Sequence, residues 1–272
     1  MTDHCVPRKV ALLVAYAGSG FHGFQFQNPS LPTVQRDLEQ ALGRVANHPV
    51  ALVCAGRTDT GVHATHQVVH FETLATRPAE AWCRGTNRYL PDTVSVLWAG
   101  EVDTAFSARF SATARRYLYL IHTSAVRSPF LVNELTYHSK PLDAAAMEEA
   151  AQQLLGEHDF TSFRAAGCQA RTPFREIREI GVRQCGDIIA VDVTASAFLH
   201  HMVRNIVGAL LLVGEGRREP GWIGEVLAAR DRRLAGATAS PKGLYLIDVT
   251  YPADFGIPAG PSLPHLFSTL VT

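Results

Sequence analysis

One nine-residue stretch constrains this chain more than any other: Gly56-Arg57-Thr58-Asp59-Thr60-Gly61-Val62-His63-Ala64. It lies between two β-type runs, Val50 to Ala55 and Gln67 to Phe71, and packs two glycines, one base and one acid into six residues. Glycine lets a backbone turn sharply or approach a ligand closely. An aspartate on such a turn, beside the Arg57 guanidinium, is favoured in its charged form. An ionised Asp59 is a candidate general base or nucleophile. The same residue types also build ordinary turns, because Asp and Thr side chains bond their own backbone. The stretch alone leaves both readings open.

The chain has 272 residues, enough for one large or two modest domains. Its hydrophobic fraction of 47% and charged fraction of 18% describe a soluble globular protein. The longest apolar run, Ile206 to Val213, is too short to span a bilayer, and Met1 to Lys9 holds no apolar leader core, so a cytoplasmic protein is expected. Five scattered cysteines show no C-x-x-C spacing, which argues for reduced thiols rather than a disulfide framework or zinc knuckle. Formal net charge is zero, which argues weakly against a nonspecific coat for nucleic acid and leaves room for a local basic cleft. Arginines do cluster, first as Arg109, Arg115 and Arg116, then as Arg164, Arg171, Arg175, Arg178 and Arg183.

Period and punctuation predict an α+β chain of two similar halves, each an antiparallel or mixed sheet with helices on one face. Lys9 to Tyr16 reads as a buried strand, and the loop behind it carries Phe21, Phe24 and Phe26 as a core plug or a base-stacking surface. Thr33 caps a helix with Val34, Leu38, Ala41, Leu42 and Val45 on one face. Pro78 to Tyr89 reads as a helix and Val94 to Val102 as a strand. Beyond a boundary near Asp103 to Ala114 come a strand (Arg116 to Thr123) and a helix capped by Asp143. A hairpin around Cys185-Gly186-Asp187 follows, then helices over His200 to Val213 and Trp222 to Ala229, and a last strand from Gly243 to Tyr251. The expected division is residues 1–105 and 106–272.

Several blocks, in order along the chain, carry a family resemblance. The string GRTDTGVHA is similar to the GRTDAGVHA signature of the tRNA pseudouridine synthase A family, with Thr60 in place of Ala. Asn87 to Asp92 resembles N-x-x-L-P-x-D with the acid one place early. Phe106-Ser107-Ala108-Arg109-Phe110-Ser111-Ala112, then Arg115-Arg116-Tyr117-Leu118-Tyr119, resembles F-H-A-R-F-S-A…R-R-Y-x-Y with Ser107 for His. Phe198 to Gly208 is close to the family pattern throughout, and so is Gly243 to Leu246 before Tyr251-Pro252. Ala17 and Phe24 stand where the family carries Asp and Trp.

The resemblance implies the pseudouridine synthase fold, with its halves joined around a central RNA-binding cleft. It implies isomerisation of uridine at positions 38, 39 and 40 of the tRNA anticodon stem-loop, by a homodimer, without cofactor or metal. By resemblance Asp59 is the catalytic carboxylate, Arg204 its paired cation, Tyr117 the ring packed on the uracil and Leu246 an apolar wall of the pocket. Arg57 is a candidate contact to substrate phosphates, and Arg109, Arg115, Arg116 and Arg171 are candidate backbone contacts. Arg204 is independently conspicuous, since a charge among Met202, Val203 and Ile206 must reach solvent or a carboxylate. Three rivals stay open: a synthase for another RNA, a noncatalytic RNA-binding or chaperone protein, and a metal hydrolase built on His63, His66 and His70.

Overall fold

The structure is a computed structural model that describes residues 7–264; Cys5, the N-terminal stretch to Val6 and the end of the proline-rich tail lie outside the described residues. The chain forms two compact units. The first runs to Thr113 and takes in Leu246–Ser262; the second is Ala114–Tyr245.

The first unit is a sheet with strand order β4-β1-β3-β10, formed by β1 (Arg8–Tyr16), β3 (His63–Thr73), β4 (Val94–Val102) and β10 (Leu244–Thr250). β1 runs antiparallel to both β3 and β4, with Leu12 opposite Val69 on one side and Ala99 on the other. That central place explains its unbroken apolar run, since both faces are covered (Val10, Ala11, Leu12 and Val14 are all buried). A two-residue strand, β2 (Val53–Cys54), pairs with β3 and leads into the glycine turn. Helix α1 (Val34–Ala46) begins where expected, with the Thr33 hydroxyl accepting from the Arg36 N–H at 3.4 Å. Its buried face is Val34, Leu38, Ala41, Leu42 and Ala46. The expected helix over Pro78 to Tyr89 is interrupted by a π-helical turn, Ala81–Gly85. The turn buries Trp82 edge-on against Phe71, ring centres 5.1 Å apart. Asn87 then fastens the segment to β4, accepting from the Val96 N–H (2.7 Å) and donating to its carbonyl (2.8 Å).

The second unit has strand order β5-β9-β8-β7, from β5 (Ala114–Thr123), β7 (Gly156–Asp159), β8 (Phe174–Cys185) and β9 (Ile188–Ala195), all antiparallel. A short β6 (Thr136–His138) lies parallel to β5. Three helices accompany it: α2 (Ala144–Gln152), α3 (Met202–Gly214) and α4 (Trp222–Ala229). α2 is capped by Asp143, whose carboxylate accepts from the Ala146 N–H at 2.9 Å. α3 is apolar nearly all round and correspondingly buried, from Met202 to Gly214. β6 and β7 have no sequence expectation behind them, because neither shows alternation long enough to read. No helix among the described residues is long and apolar enough to cross a membrane.

The sequence division at 105/106 differs from the division into units. Phe106 packs against His70, Tyr251 and Phe255, with ring centres 5.1 to 5.8 Å apart. The Ala108 N–H donates to His70 and the Ala108 carbonyl accepts from the Tyr251 hydroxyl. These contacts keep residues 106–113 in the first unit, and the chain re-enters that unit at Leu246. Chain order does not carry such a return.

Candidate active site

The turn Gly56–Gly61 is held from three sides. Gln67, the polar break in the β3 pattern, is fully buried. Its amide donates to the Gly56 carbonyl (2.6 Å) and accepts from the Gly56 N–H (3.4 Å). The Thr58 hydroxyl shares a hydrogen with the Tyr16 hydroxyl at 2.8 Å in the core. The Thr58 carbonyl accepts from the Phe24 N–H at 3.0 Å, and the Asp59 carbonyl accepts from the Val62 N–H at 3.1 Å. Two glycines of the preceding loop permit this approach. A Cβ on Gly18 would collide with the Val62 carbonyl oxygen; one on Gly23, at φ +89°, would lie 2.8 Å from the Thr58 oxygen.

Thr58 is therefore buried, Asp59 half-buried, and Arg57 and Thr60 exposed. Arg57 makes no ion pair with Asp59; its guanidinium projects to the surface with no side-chain partner among the described residues. The expectation that Arg57 keeps Asp59 charged is thus corrected. The backbone ties above hold the turn by Thr58 and Gly56, with the Arg57 side chain exposed and Asp59 half-buried. Of the loop aromatics, Phe21 and Phe24 are core plugs and Phe26 is exposed. Exposed Ala17 and Thr60 take no part in these ties through their side chains.

Tyr117 lies on β5 opposite Val193, only 9% exposed, with its ring edge-on to Phe198 at 5.0 Å. Arg204 sits in the first turn of α3, which starts at Met202 rather than His200 because His201 takes a left-handed conformation, φ +61°. The Arg204 Nε–H donates to the Ala239 carbonyl at 2.8 Å, and the Ala239 N–H donates to the Arg204 carbonyl at 3.0 Å. Beside it, burial pushes the Tyr119 phenol up to about 12, against the pull of its Thr136 hydrogen bond and the Arg204 charge.

The segment that holds Arg204 is pinned by residues with no sequence signal strong enough to single them out. Fully buried Asn205 donates to the Phe163 carbonyl (2.8 Å) and accepts from the Thr238 hydroxyl (2.7 Å) and Arg232 Nη2 (2.9 Å). Arg232 Nη1 donates to the Gly236 carbonyl at 2.7 Å. Only the unusual spelling Arg204-Asn205 within an apolar helix hinted at it.

The remaining candidates divide by unit. In the first, Arg109 is exposed over the Phe110 ring at 5.2 Å, and Leu246 is fully buried. Ser107, standing where the family carries His, closes its own turn by accepting from the Phe110 N–H at 3.3 Å. In the second, Arg115 donates to the Ser196 carbonyl (3.2 Å), while Arg116 gives both edges of its fork to Asp192 at 2.8 and 2.6 Å. The three β3 histidines are buried and engaged inside the first unit. His63 Nδ1 accepts from the Gly18 N–H, His66 Nδ1 meets the Ser262 hydroxyl at 3.0 Å, and His70 Nδ1 accepts from the Ala108 N–H. Burial holds His66 and His70 below the ordinary histidine range, His70 at about 4 with Lys9 adding to the effect. These three histidines do not gather into a group that could hold one ion among the described residues.

Comparison with known proteins agrees with the blocks read from the sequence. The family model for tRNA pseudouridine synthases matches residues 12–111 and 150–252. A tRNA pseudouridine synthase A from Tolumonas auensis is 53% identical over 260 residues, covering 96% of this chain and 99% of that protein. Another, from Pseudoalteromonas atlantica, is 54% identical over 250 residues, 92% of this chain and 95% of that one. Among solved structures, a chain of a Cbf5-Nop10-Gar1 complex aligns over 87% of this chain and 57% of its own, at 12% identity and a TM-score of 0.32. With a family model matched over most of its length and full-length relatives at more than half identity, this chain belongs to the tRNA pseudouridine synthase family, isomerases that convert uridine to pseudouridine in tRNA.

Proposed function

We propose that the enzyme acts on uridines 38, 39 and 40 of the anticodon stem-loop, with Asp59 as its catalytic carboxylate. The observation that carries the assignment is the turn Gly56–Gly61. Its backbone is fixed by Gln67, Tyr16 and the two close-packed glycines, and its acid is half-buried. A carboxylate held on so rigid a base needs little reorganisation when charge develops near it.

The reaction breaks the C1′–N1 bond of the nucleoside and joins C1′ to C5 of the same uracil. The C5 proton leaves and N1 gains one, so substrate and product are isomers and no electrons are exchanged. The uracil must leave its stack to be reached. Asp59 acts at the ribose carbon from which the base departs. Tyr117, on a strand whose neighbours Leu118 to Ile121 are fully buried, supplies a fixed ring for the base to rest on. Leu246 serves as apolar wall. Arg204 serves as counter-ion to the Asp59 carboxylate; its fixed Nε bond to Ala239 sets the plane of the guanidinium. Arg57, Arg109 and Arg115 are the candidate phosphate contacts, whereas Arg116 must first give up Asp192. A cytoplasmic homodimer that shares one tRNA between subunits belongs to the same reading; sedimentation with and without tRNA reads the stoichiometry.

The test incubates unmodified tRNA with the enzyme, maps pseudouridine by carbodiimide stops, and runs Asp59→Asn in parallel. Product at 38 to 40 from the native enzyme alone is the expected result. Product elsewhere moves the substrate assignment to another RNA or site, and full turnover by Asp59→Asn removes the catalytic role.

A further inference from the structure

The connection between β7 and β8 holds a second concentration of charge. From Arg164 to Arg175 the sequence reads RAAGCQARTPFR, three arginines and no acid in twelve residues. Arg164 Nη2 donates to the carbonyls of Cys168 (2.7 Å) and Ala170 (2.8 Å). Arg175 Nη1 donates to the carbonyls of Thr172 (3.0 Å) and Phe174. All four acceptors are neutral.

The neighbouring acids are committed elsewhere. Asp159 accepts from Thr161 and faces Arg230 at 3.4 Å, and Glu176 pairs with Arg178 at 3.0 Å. Across the strand from Arg175 stands His158, whose Nε2 meets the Leu155 carbonyl at 2.7 Å. No carboxylate among the described residues serves Arg164, Arg171 or Arg175. The Arg175 Nε is buried without an acceptor. Burial and the nearby Arg164 charge both lower the Arg175 guanidinium from its ordinary value. Burial alone would raise the Cys168 thiol, yet N–H groups of His200 and Ala170 and the Arg164 guanidinium carry it below the ordinary thiol range. The pocket thus favours a negative charge even on sulfur. Bracing the loop uses one nitrogen of each of two arginines; it leaves exposed Arg171 and the Arg175 Nε unexplained.

We infer that residues 164–175 form a phosphate site that grips the backbone of bound tRNA, with Arg164 and Arg175 as its fixed forks and Arg171 as an outer charge. Guanidinium matches phosphate geometry through parallel N–H bonds. Loop carbonyls have already ordered two of the three side chains, so little entropy remains to be lost on binding. Half-exposed Phe174 adjoins the site, and an aromatic face beside cations suits a nucleic acid better than a free anion. Such a contact positions the substrate without reading its sequence. The inference rests on tRNA being the substrate, as proposed above.

The test measures tRNA binding by the full-length enzyme over a range of salt. Arg171→Gln, which breaks no contact within the protein, is expected to weaken binding several-fold and to reduce the log–log salt slope by roughly 0.7–0.9. The loss belongs in KM rather than kcat, which a merely structural role would not select. Arg175→Lys keeps the charge and loses the fork, so binding weakens at an unchanged slope. Should Arg175→Lys fail to fold, Arg171→Gln still decides. Alkylation of Cys168 by iodoacetamide gives a second reading, with saturating tRNA expected to slow it at least several-fold and equimolar inorganic phosphate not to. Equal protection by phosphate overturns the tRNA assignment in favour of a free-anion site. An unchanged slope with an unprotected thiol, in an enzyme that makes pseudouridine, overturns this inference alone. A native enzyme that neither binds nor modifies tRNA overturns the substrate reading with it.

Discussion

The turn Gly56–Gly61 and the stretch 164–175, which runs from the connection into the start of β8, both carry arginines, but they are held by opposite means. In the first, neutral groups do the holding: a buried amide, a hydroxyl pair and close backbone approach at Gly18 and Gly23. Its Arg57 side chain is exposed and its Asp59 half-buried. In the second, the charged side chains are themselves the ties, and two guanidiniums gather the loop through its carbonyls. Neutral ties make a rigid platform for one reacting group. Cationic ties make a surface that still attracts an anion after it has folded. On the proposed reading, the difference separates a site for chemistry from a site for grip.

Substitutions separate the two, and the largest effect belongs to the platform's single acid. Asp59→Asn is expected to lower pseudouridine formation by at least about a thousand-fold while tRNA binding stays within about threefold; a matching fall in affinity would make Asp59 a binding residue instead. Next comes the platform itself. Gly23→Ala puts a side chain at φ +89° against the Thr58 carbonyl, at a cost of about 3 kcal/mol in urea unfolding. A stable Gly23→Ala enzyme with full kcat would show that the turn needs no such rigidity.

Acid separates the regions as well. The native His70 pKa of about 4 lies below its unfolded value near 6.5, so the unfolded chain binds the extra proton between them. Its contribution to stability is complete above about pH 6.5 and is lost as pH falls toward about 4. Between pH 7 and pH 5 that amounts to about 2 kcal/mol, and His70→Gln should remove this part of the fall. Guanidinium groups as a class keep their charge over this range, so tRNA affinity per folded molecule should be less sensitive over the same interval. The smallest effect is on grip: Arg171→Gln costs tRNA affinity on the order of 1 kcal/mol with unchanged thermal stability.

Legibility followed the same divide. Strands β1, β4 and β9, helix α4, and the Thr33 and Asp143 caps were readable because each is set by local pattern: alternation, an apolar face or a hydroxyl or carboxylate at a helix start. The π-helical turn was not, since burying Trp82 on Phe71 is a tertiary demand that overrides a regular helix. Gln67 and Asn205 looked like polar blemishes in apolar runs; only their buried partners reveal them as ties. Arg116 read in sequence as one of a cluster of candidate backbone contacts, but Asp192 reaches it from the adjoining strand.

The amino-acid order by itself determined the α+β class, the family and the position of Asp59 in a glycine turn, because these depend on short-range spacing and on the identity of neighbouring residues. Tertiary structure alone decided which charges are already spent, which histidines are structural, and that the chain returns to its first unit at Leu246. Those outcomes depend on partners far apart in sequence, and a hydrogen bond or ion pair has no address until the backbone has brought its two ends together.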